Sequence, residues 1–571
     1  MSDPVFSNLL IIVVLSGPLL YIVVGWTLQR LDTEEEYFLA RRTVQPHDFV
    51  GTTVAYGLQV AALTLFATWG YMYGFWTVLV PFFWFVGYLL LAYALSRGYV
   101  DRFIFQKHPG TIHQFIGENA RGLAPLAAFA SLIGITGPAM YEADFSSRIV
   151  VELRCQLIHQ EYSGTLAGLL FLCFIAMSAV YILRGGFRAI VRTDNWQLAV
   201  GYVSVAIVTA ALLFHVAASD QFWQAVILLT SLSVVSLVLF GAWLCLYRRL
   251  SLGLVVLAIA TLVYLSVLCG VVFAFASNTS QSLSAGWTSF VGDQQVGNPL
   301  SLGFALVALA IANGLYQFVD VSQWQRLASV IIGDSEDVES QKTYRKLVSR
   351  SICLSGFYSS ATWVVAVFLG MCLRYVAPGV KDDPYSAINK FLIDYQANQD
   401  TRWIVVVFIL GIIGIMLSTL DSLMFSVTFT LRNDVLPRFG GGLRMAKIIT
   451  GIVLAGGAVG YLYLLPLFVA DPSILLYSCW ATQIALFPVV VFSLTPRPMR
   501  GFLAIASVGF GMVAALIPFI SLHSFPAAYQ FDPYQYAAPF ALVAAGAVSL
   551  LNFVPRSRQE QPIGEENGSR V

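Results

Sequence analysis

Apolar runs of membrane length alternate with short polar segments along almost the whole chain. A run of about 20 apolar residues is long enough to cross the hydrocarbon core of a bilayer as a helix. The pattern predicts an all-α polytopic membrane protein with about 15 transmembrane helices. They lie near residues 8–29, 48–74, 76–98, 123–151, 162–184, 189–216, 222–247, 252–276, 299–323, 352–377, 403–431, 445–464, 468–494, 500–521 and 535–554.

The basic residues predict how these helices are oriented. With the N-terminus outside and the spans alternating, 26 of the 32 Lys and Arg residues fall on the cytoplasmic side. Cytoplasmic loops of membrane proteins carry such an excess. We therefore expect a multi-pass protein of the plasma membrane, here a bacterial inner membrane, with its C-terminus in the cytoplasm.

Composition narrows the function classes. Of the 571 residues, 58% are hydrophobic and 11% are charged, which excludes a soluble enzyme. The net charge of +1 gives no electrostatic reason to expect a nucleic-acid partner. The seven cysteines and six histidines show no spacing typical of a disulfide framework or a zinc site.

A polar group interrupts the apolar run at 403–430. Ser418, Thr419 and Ser422 share one helix face with Ile415, and Asp421 lies beside them. A carboxylate at the bilayer centre costs roughly 2.5–3.5 kcal/mol, so it usually faces a cavity, an ion or a partner. The oxygen-rich face suits a small hard cation. The alternative is that the hydroxyls bond to their own helix and Asp421 faces a water-filled crevice.

Two other spans contain glycine beside polar residues at mid-depth, in the segments 55–59 and 312–316. Glycine inside a helix costs about 1 kcal/mol relative to alanine. At corresponding points of two halves, such segments indicate discontinuous helices around a central site. The carbonyls of Ala55 and Leu58 would then be free to coordinate a cation. Close helix packing through glycine is the alternative.

Acidic residues in two further spans allow a functional or a structural interpretation. Asp194, near the inner end of its span, either holds or releases an ion on the cytoplasmic side or pairs with Arg188 or Arg192. Asp144 and Arg148 are four residues apart on one helix, which favours a local ion pair.

Segments 37–41, 185–197, 313–326 and 418–434 together resemble, in this order, the sodium:solute symporter family. That family includes the sodium/proline, sodium/galactose and sodium/sialic acid transporters, and the resemblance covers roughly residues 8–500. It implies a LeuT-type core of two inverted five-helix repeats. The implied division is an extra N-terminal helix and loop (1–47), the first repeat (48–216), an inserted hairpin and outer loop (217–298), the second repeat (299–494), and C-terminal helices with a short tail (495–571).

The resemblance also implies ligands for the coupling ion Na⁺. One sodium site would use the carbonyls of Ala55, Leu58 and Ile415 with the hydroxyls of Ser418 and Thr419. A second sodium site, found in some members, would use Asp194, Asp421 and Ser422.

Four residues fall on positions that the resemblance associates with the solute. Tyr316 matches a tyrosine that closes the pocket from inside, Asn313 matches a solute-contacting asparagine, and Gln59 and Gln483 lie where helices commonly face solute. The polar residues of the sugar transporter are largely missing from 55–62, so an amino acid or a small carboxylate is expected. Arg41-Arg42 replaces the family's usual Gly-Arg, a change from which we expect no consequence.

These features predict a sodium-coupled symporter, not an enzyme, that imports a small organic solute across the lipid bilayer by alternating access. One alternative is a transporter-like solute sensor that signals to a partner protein docked on the 222–276 hairpin. Another is a symporter coupled to protons through Asp421 or Asp194. The sequence leaves the oligomeric state open.

Overall fold

The structure, a computed structural model, describes residues 4–27, 33–105, 110–118, 122–157, 160–217, 299–330, 337–376, 402–468, 472–495, 499–521 and 534–553. The predicted hairpin at 222–276 lies outside these residues. Apart from one isolated β-bridge between Val44 and Val330, the regular structure of the described ranges is helical.

Most helices in the described ranges follow the predicted spans, although the helix predicted at 352–377 begins at Val338 and the one predicted at 299–323 ends at Tyr316. In chain order they are α1 (Pro4–Thr27), α2 (Glu34–Leu39), α3 (Pro46–Gly57), α4 (Val60–Tyr73), α5 (Leu79–Ser96), α6 (Asp101–Ile104), α7 (Ile112–Gly117), α8 (Leu123–Leu157), α9 (Gly164–Ala217), α10 (Pro299–Tyr316), α11 (Val321–Ser329), α12 (Val338–Val376), α13 (Arg402–Thr430), α14 (Leu443–Val459), α15 (Leu465–Phe468), α16 (Pro472–Ile484), α17 (Phe487–Ser493), α18 (Gly501–Ser521) and α19 (Tyr534–Leu550). Among the described residues, seven helices are long and apolar enough to cross a membrane, or eight with the bent pair α3–α4.

The interruption predicted at 55–59 is confirmed. Helix α3 ends at Gly57, α4 begins at Val60, and the two axes differ by 60°. Leu58 and Gln59 are non-helical, with ψ angles of 65° and 138°. The break leaves the first amides of α4 without partners inside their own helix.

The interruption predicted at 312–316 was wrong in position. Helix α10 continues through Tyr316, and the turn that follows occupies 317–319. Gly314 lies against α5, because a side chain at Gly87 would overlap the Gly314 carbonyl. Close packing therefore accounts for this glycine.

Helix α9 comprises two predicted spans joined at Gly186. This residue has a φ of 63° and a ψ of −175°, a conformation that favours glycine and divides the helix. Helix α13 packs against the second half of α9, against α8 and against α3. Thr52, Asp194 and Ser418 are thereby brought together.

A strained turn joins α2 to α3. Ala40, Arg41 and Arg42 have φ angles of 49°, 54° and 53°, which side-chain-bearing residues rarely adopt. The expectation that Arg41-Arg42 would have no consequence was therefore wrong, because glycine at position 41 would adopt this conformation without strain.

Candidate ion and solute site

Asp194 joins three helices at a fully buried position. Its carboxylate accepts hydrogen bonds from the Thr52 hydroxyl on α3 and from Ser418 Oγ on α13, the latter at 2.7 Å. The side chain has no exposed surface. The predicted alternative, a pair with Arg188 or Arg192, is not found; Arg188 instead lies 3.7 Å from Glu36.

The guanidinium of Arg326, on α11, lies beside Asp194. Its Nη2 donates to Ser422 Oγ at 2.6 Å and lies 3.9 Å from Asp194. The guanidinium also stacks 4.7 Å above the Tyr56 ring, and only 1% of the side chain is exposed. Arg326 was not predicted from the sequence to have a role, although a basic residue that follows an apolar span was a signal for one.

Asp421 lies in the same region and is buried. Its carboxylate is near Gln197 and Asp194, but within the described part of the chain neither oxygen meets a donor with hydrogen-bond geometry. Asp320 also lies close to Arg326. Three carboxyl groups thus lie near one guanidinium.

The residues predicted for the first sodium site are brought to facing helices. Leu58, at the helix break, and Ile415, on α13, both pack against Gly201 of α9. A Cβ at Gly201 would lie 2.7 Å from the Ile415 side chain and 3.5 Å from that of Leu58. Thr419 Oγ1 donates to the Ile415 carbonyl at 3.3 Å, which is the predicted back-bonding. The Ala55 carbonyl accepts from the Leu58 amide at 3.2 Å.

A narrow cavity of about 20 Å³ lies beside this region. Gln59, Asn313 and Thr419 line it, together with many aromatic rings. Two of the four predicted solute residues therefore reach the cavity. Tyr316 lies behind the lining residue Trp480, with ring centres 5.9 Å apart.

The fourth predicted solute residue does not line the cavity. Gln483 is fully buried and packs against Gly134, where an added Cβ would overlap its side chain. Its amide has no hydrogen-bond partner among the described residues.

Glu142 lines the cavity and contacts the start of α4. Its Oε1 accepts from the Val60 amide at 2.6 Å and its Oε2 from the Ala61 amide at 3.1 Å. Glu142 was not predicted from the sequence to have a role, although a carboxylate inside the apolar span of α8 was a signal for one.

The ion pair predicted between Asp144 and Arg148 is confirmed at 2.9 Å. The Tyr461 hydroxyl also donates to Asp144 at 3.0 Å and so ties α8 to the turn that follows α14. These residues do not line the cavity. Their arrangement is that of a structural contact.

No family profile and no curated protein sequence matches the chain. Solved structures, in contrast, match the chain. A sodium-coupled sialic acid symporter, in a substrate-bound outward-open state, aligns over 95% of this chain and 97% of its own, with 11% identity and a TM-score of 0.61. The nucleobase-cation-symport-1 family transporter Mhp1, closed around bromovinylhydantoin, covers 90% of this chain and 93% of its own, with 14% identity and a TM-score of 0.50.

Likeness at this level of identity establishes the fold. The chain is an all-α, multi-pass membrane protein with a LeuT-type core, as the sequence predicts. Membership of the sodium:solute symporter family stays a prediction.

Proposed function

We propose that the protein is a secondary active transporter that carries a small organic solute together with Na⁺. One observation carries the proposal: the break between α3 and α4 faces the hydroxyl-bearing middle of α13, beside a buried cavity. Broken helices of this kind form the central ion and solute sites of transporters.

The coupling sodium would bind the carbonyls of Ala55, Leu58 and Ile415 and the hydroxyls of Ser418 and Thr419. A hydroxyl that donates one hydrogen bond keeps lone pairs for a cation, so the Thr419 back-bond is compatible with this role. Hard cations prefer such oxygen ligands.

A second sodium at Asp194, Asp421 and Ser422 would compete with Arg326. The guanidinium already donates to Ser422 and lies 3.9 Å from Asp194. We therefore propose one coupling sodium while Arg326 keeps this position. One charge that crosses 100 mV supplies about 2.3 kcal/mol, which corresponds to roughly 50-fold accumulation.

We further propose import across a bacterial inner membrane, with the N-terminus outside, the C-terminus inside and the repeats divided at the predicted residues. Protease accessibility of tags at the two termini, measured in right-side-out vesicles, tests the orientation. Cleavage of a C-terminal tag in intact vesicles would contradict it.

The coupling ion is tested with the full chain in proteoliposomes. Labelled amino acids, small carboxylates and alkylammonium ions are offered under an inward Na⁺ gradient, an inward H⁺ gradient, or neither. We expect accumulation only with Na⁺. Accumulation that follows the pH gradient would identify proton coupling, and binding without flux under either gradient would identify a sensor.

A further inference from the structure

The amides at the start of α4 are already occupied by a carboxylate of the protein itself. Glu142 accepts from Val60 at 2.6 Å and from Ala61 at 3.1 Å. The N-terminus of a broken helix is where transporters of this architecture can hold an anionic group of the solute. A solute carboxylate would have to displace Glu142 and then lie beside a like charge.

In the described part of the chain, Glu142 also has no fixed counter-ion. Its side chain is buried, and within the described ranges no Lys, Arg or His side chain forms an ion pair with it. Two amides and the positive end of the α4 dipole stabilise the carboxylate, but a buried charge without an opposite charge remains costly. Of the described residues that line the cavity, Glu142 alone is charged.

Aromatic rings form much of the remaining wall. Phe66, Trp69, Trp363, Tyr477 and Trp480 all line the cavity. Phe66 and Trp363 stack with ring centres 4.8 Å apart, and Tyr477 and Trp480 meet edge to face at 5.8 Å. The negative faces of such rings attract organic cations. Sodium itself prefers oxygen ligands, which ring faces do not supply.

We infer that the cavity binds the alkylated ammonium group of an organic cation, with Glu142 as its counter-ion and the rings around its methyl or methylene groups. This inference rests on the proposed transport function and replaces the expected amino acid or carboxylate with a cationic amine. A volume of about 20 Å³ holds roughly one water molecule, so the rings must separate when the solute enters.

The test compares ammonium ions with carboxylates and includes one pair of probes, choline and its neutral isostere, that differ in charge alone. Thermal unfolding of the purified full chain is measured in detergent with Na⁺ present. The probes are methylammonium, tetramethylammonium and choline, the uncharged choline isostere 3,3-dimethyl-1-butanol, and the carboxylates acetate and propionate. We expect at least one ammonium ion to raise the unfolding temperature, because a ligand specific for the folded state stabilises it. The isostere and the carboxylates should have no effect.

Variants then assign the contacts. Glu142→Gln keeps the shape and an acceptor for one amide but removes the charge, so ammonium affinity should fall by roughly 30-fold or more, the loss expected when one partner of a buried charge pair is removed. Trp480→Leu should weaken binding by roughly 30-fold, the loss that corresponds to a desolvated cation–π contact of about 2 kcal/mol. Trp196→Leu is the matched control, because that ring is 60% exposed on the outer face of α9. The ammonium affinity of this variant should equal that of the parent.

The outcomes separate the solute class from the transport function. Stabilisation by carboxylates, by the neutral isostere as strongly as by choline, or by none of the ammonium ions would overturn the inference. So would unchanged ammonium affinity in Glu142→Gln. Stabilisation of the ligand-free protein by Na⁺ over K⁺ is recorded in parallel. If it persists while the ammonium ions fail, the proposed transporter stands and only its solute class is wrong.

Discussion

Two buried carboxylates, Asp194 and Glu142, contact the two halves of the broken helix and are compensated in different ways. Asp194 bonds to Thr52 on α3 and has Arg326 within 3.9 Å. Glu142 bonds to the first amides of α4 and faces aromatic rings without a basic partner among the described residues. Asp194 thus has a basic group of the protein nearby, which it shares with Asp320 and Asp421, whereas Glu142 has none among the described residues.

This difference separates a structural charge from a binding charge. Removal of one partner from a buried ion pair leaves the other charge uncompensated, which destabilises the folded state. A buried carboxylate beside a cavity gains its partner only when a cation enters. Stability should therefore depend on Asp194 and Arg326, whereas ligand binding should depend on Glu142.

The largest effect is expected for Arg326→Met. The change leaves Asp194 buried without its cation, and we expect a loss of about 3–5 kcal/mol in the free energy of unfolding. Chemical unfolding of the detergent-purified protein measures it. The double variant Arg326→Met with Asp194→Asn should recover much of the loss.

The control for that prediction is Arg345→Met. Arg345 pairs with Asp101 at a position where 26% of each side chain is exposed, so solvent screens the pair. We expect the free energy of unfolding to fall by about 1 kcal/mol. Equal losses for the two variants would contradict the role assigned to the buried pair.

Thr419→Ala tests the ion site directly. Loss of one oxygen ligand should raise the sodium concentration for half-maximal stabilisation at least about tenfold, or roughly 1.4 kcal/mol, while folding is retained. Thr428→Ala, nine residues further along the same helix and about 13.5 Å away, should leave the sodium response unchanged. An unaltered sodium requirement in Thr419→Ala would remove this residue from the site.

Glu142→Gln should affect stability far less than Arg326→Met. The glutamine oxygen still accepts from one amide, and no cation among the described residues is left unpaired by the loss of the carboxylate. Loss of the charge-assisted hydrogen bond lowers the free energy of unfolding, whereas removal of a buried charge raises it. We expect the free energy of unfolding to remain within about 1.5 kcal/mol of the parent. A loss as large as that of Arg326→Met would make Glu142 a structural charge.

The sequence predicted the spans and the α3–α4 break because hydrophobic run length and mid-span glycine are local signals. It misplaced the second break, since the glycine at 314 reflects the approach of α5, a contact between distant segments. The roles of Arg326 and Glu142 were missed for a similar reason. Their functions depend on which side chains from other helices lie beside them, and no spacing along the chain encodes that.

The smallest effect concerns a residue that contacts neither carboxylate. Arg41 has a φ of 54°, and its ion pair with Glu36 measures 2.6 Å. Arg41→Gly and Arg41→Ala both lose that pair, but only glycine adopts the left-handed backbone without strain. The free energy of unfolding of the glycine variant should therefore exceed that of the alanine variant by about 1 kcal/mol. Sodium and ammonium affinities should match the parent in both. Changed affinities would mean that stability and binding are coupled across the molecule. The assignment of stability to Asp194 and of ligand binding to Glu142 would then be wrong.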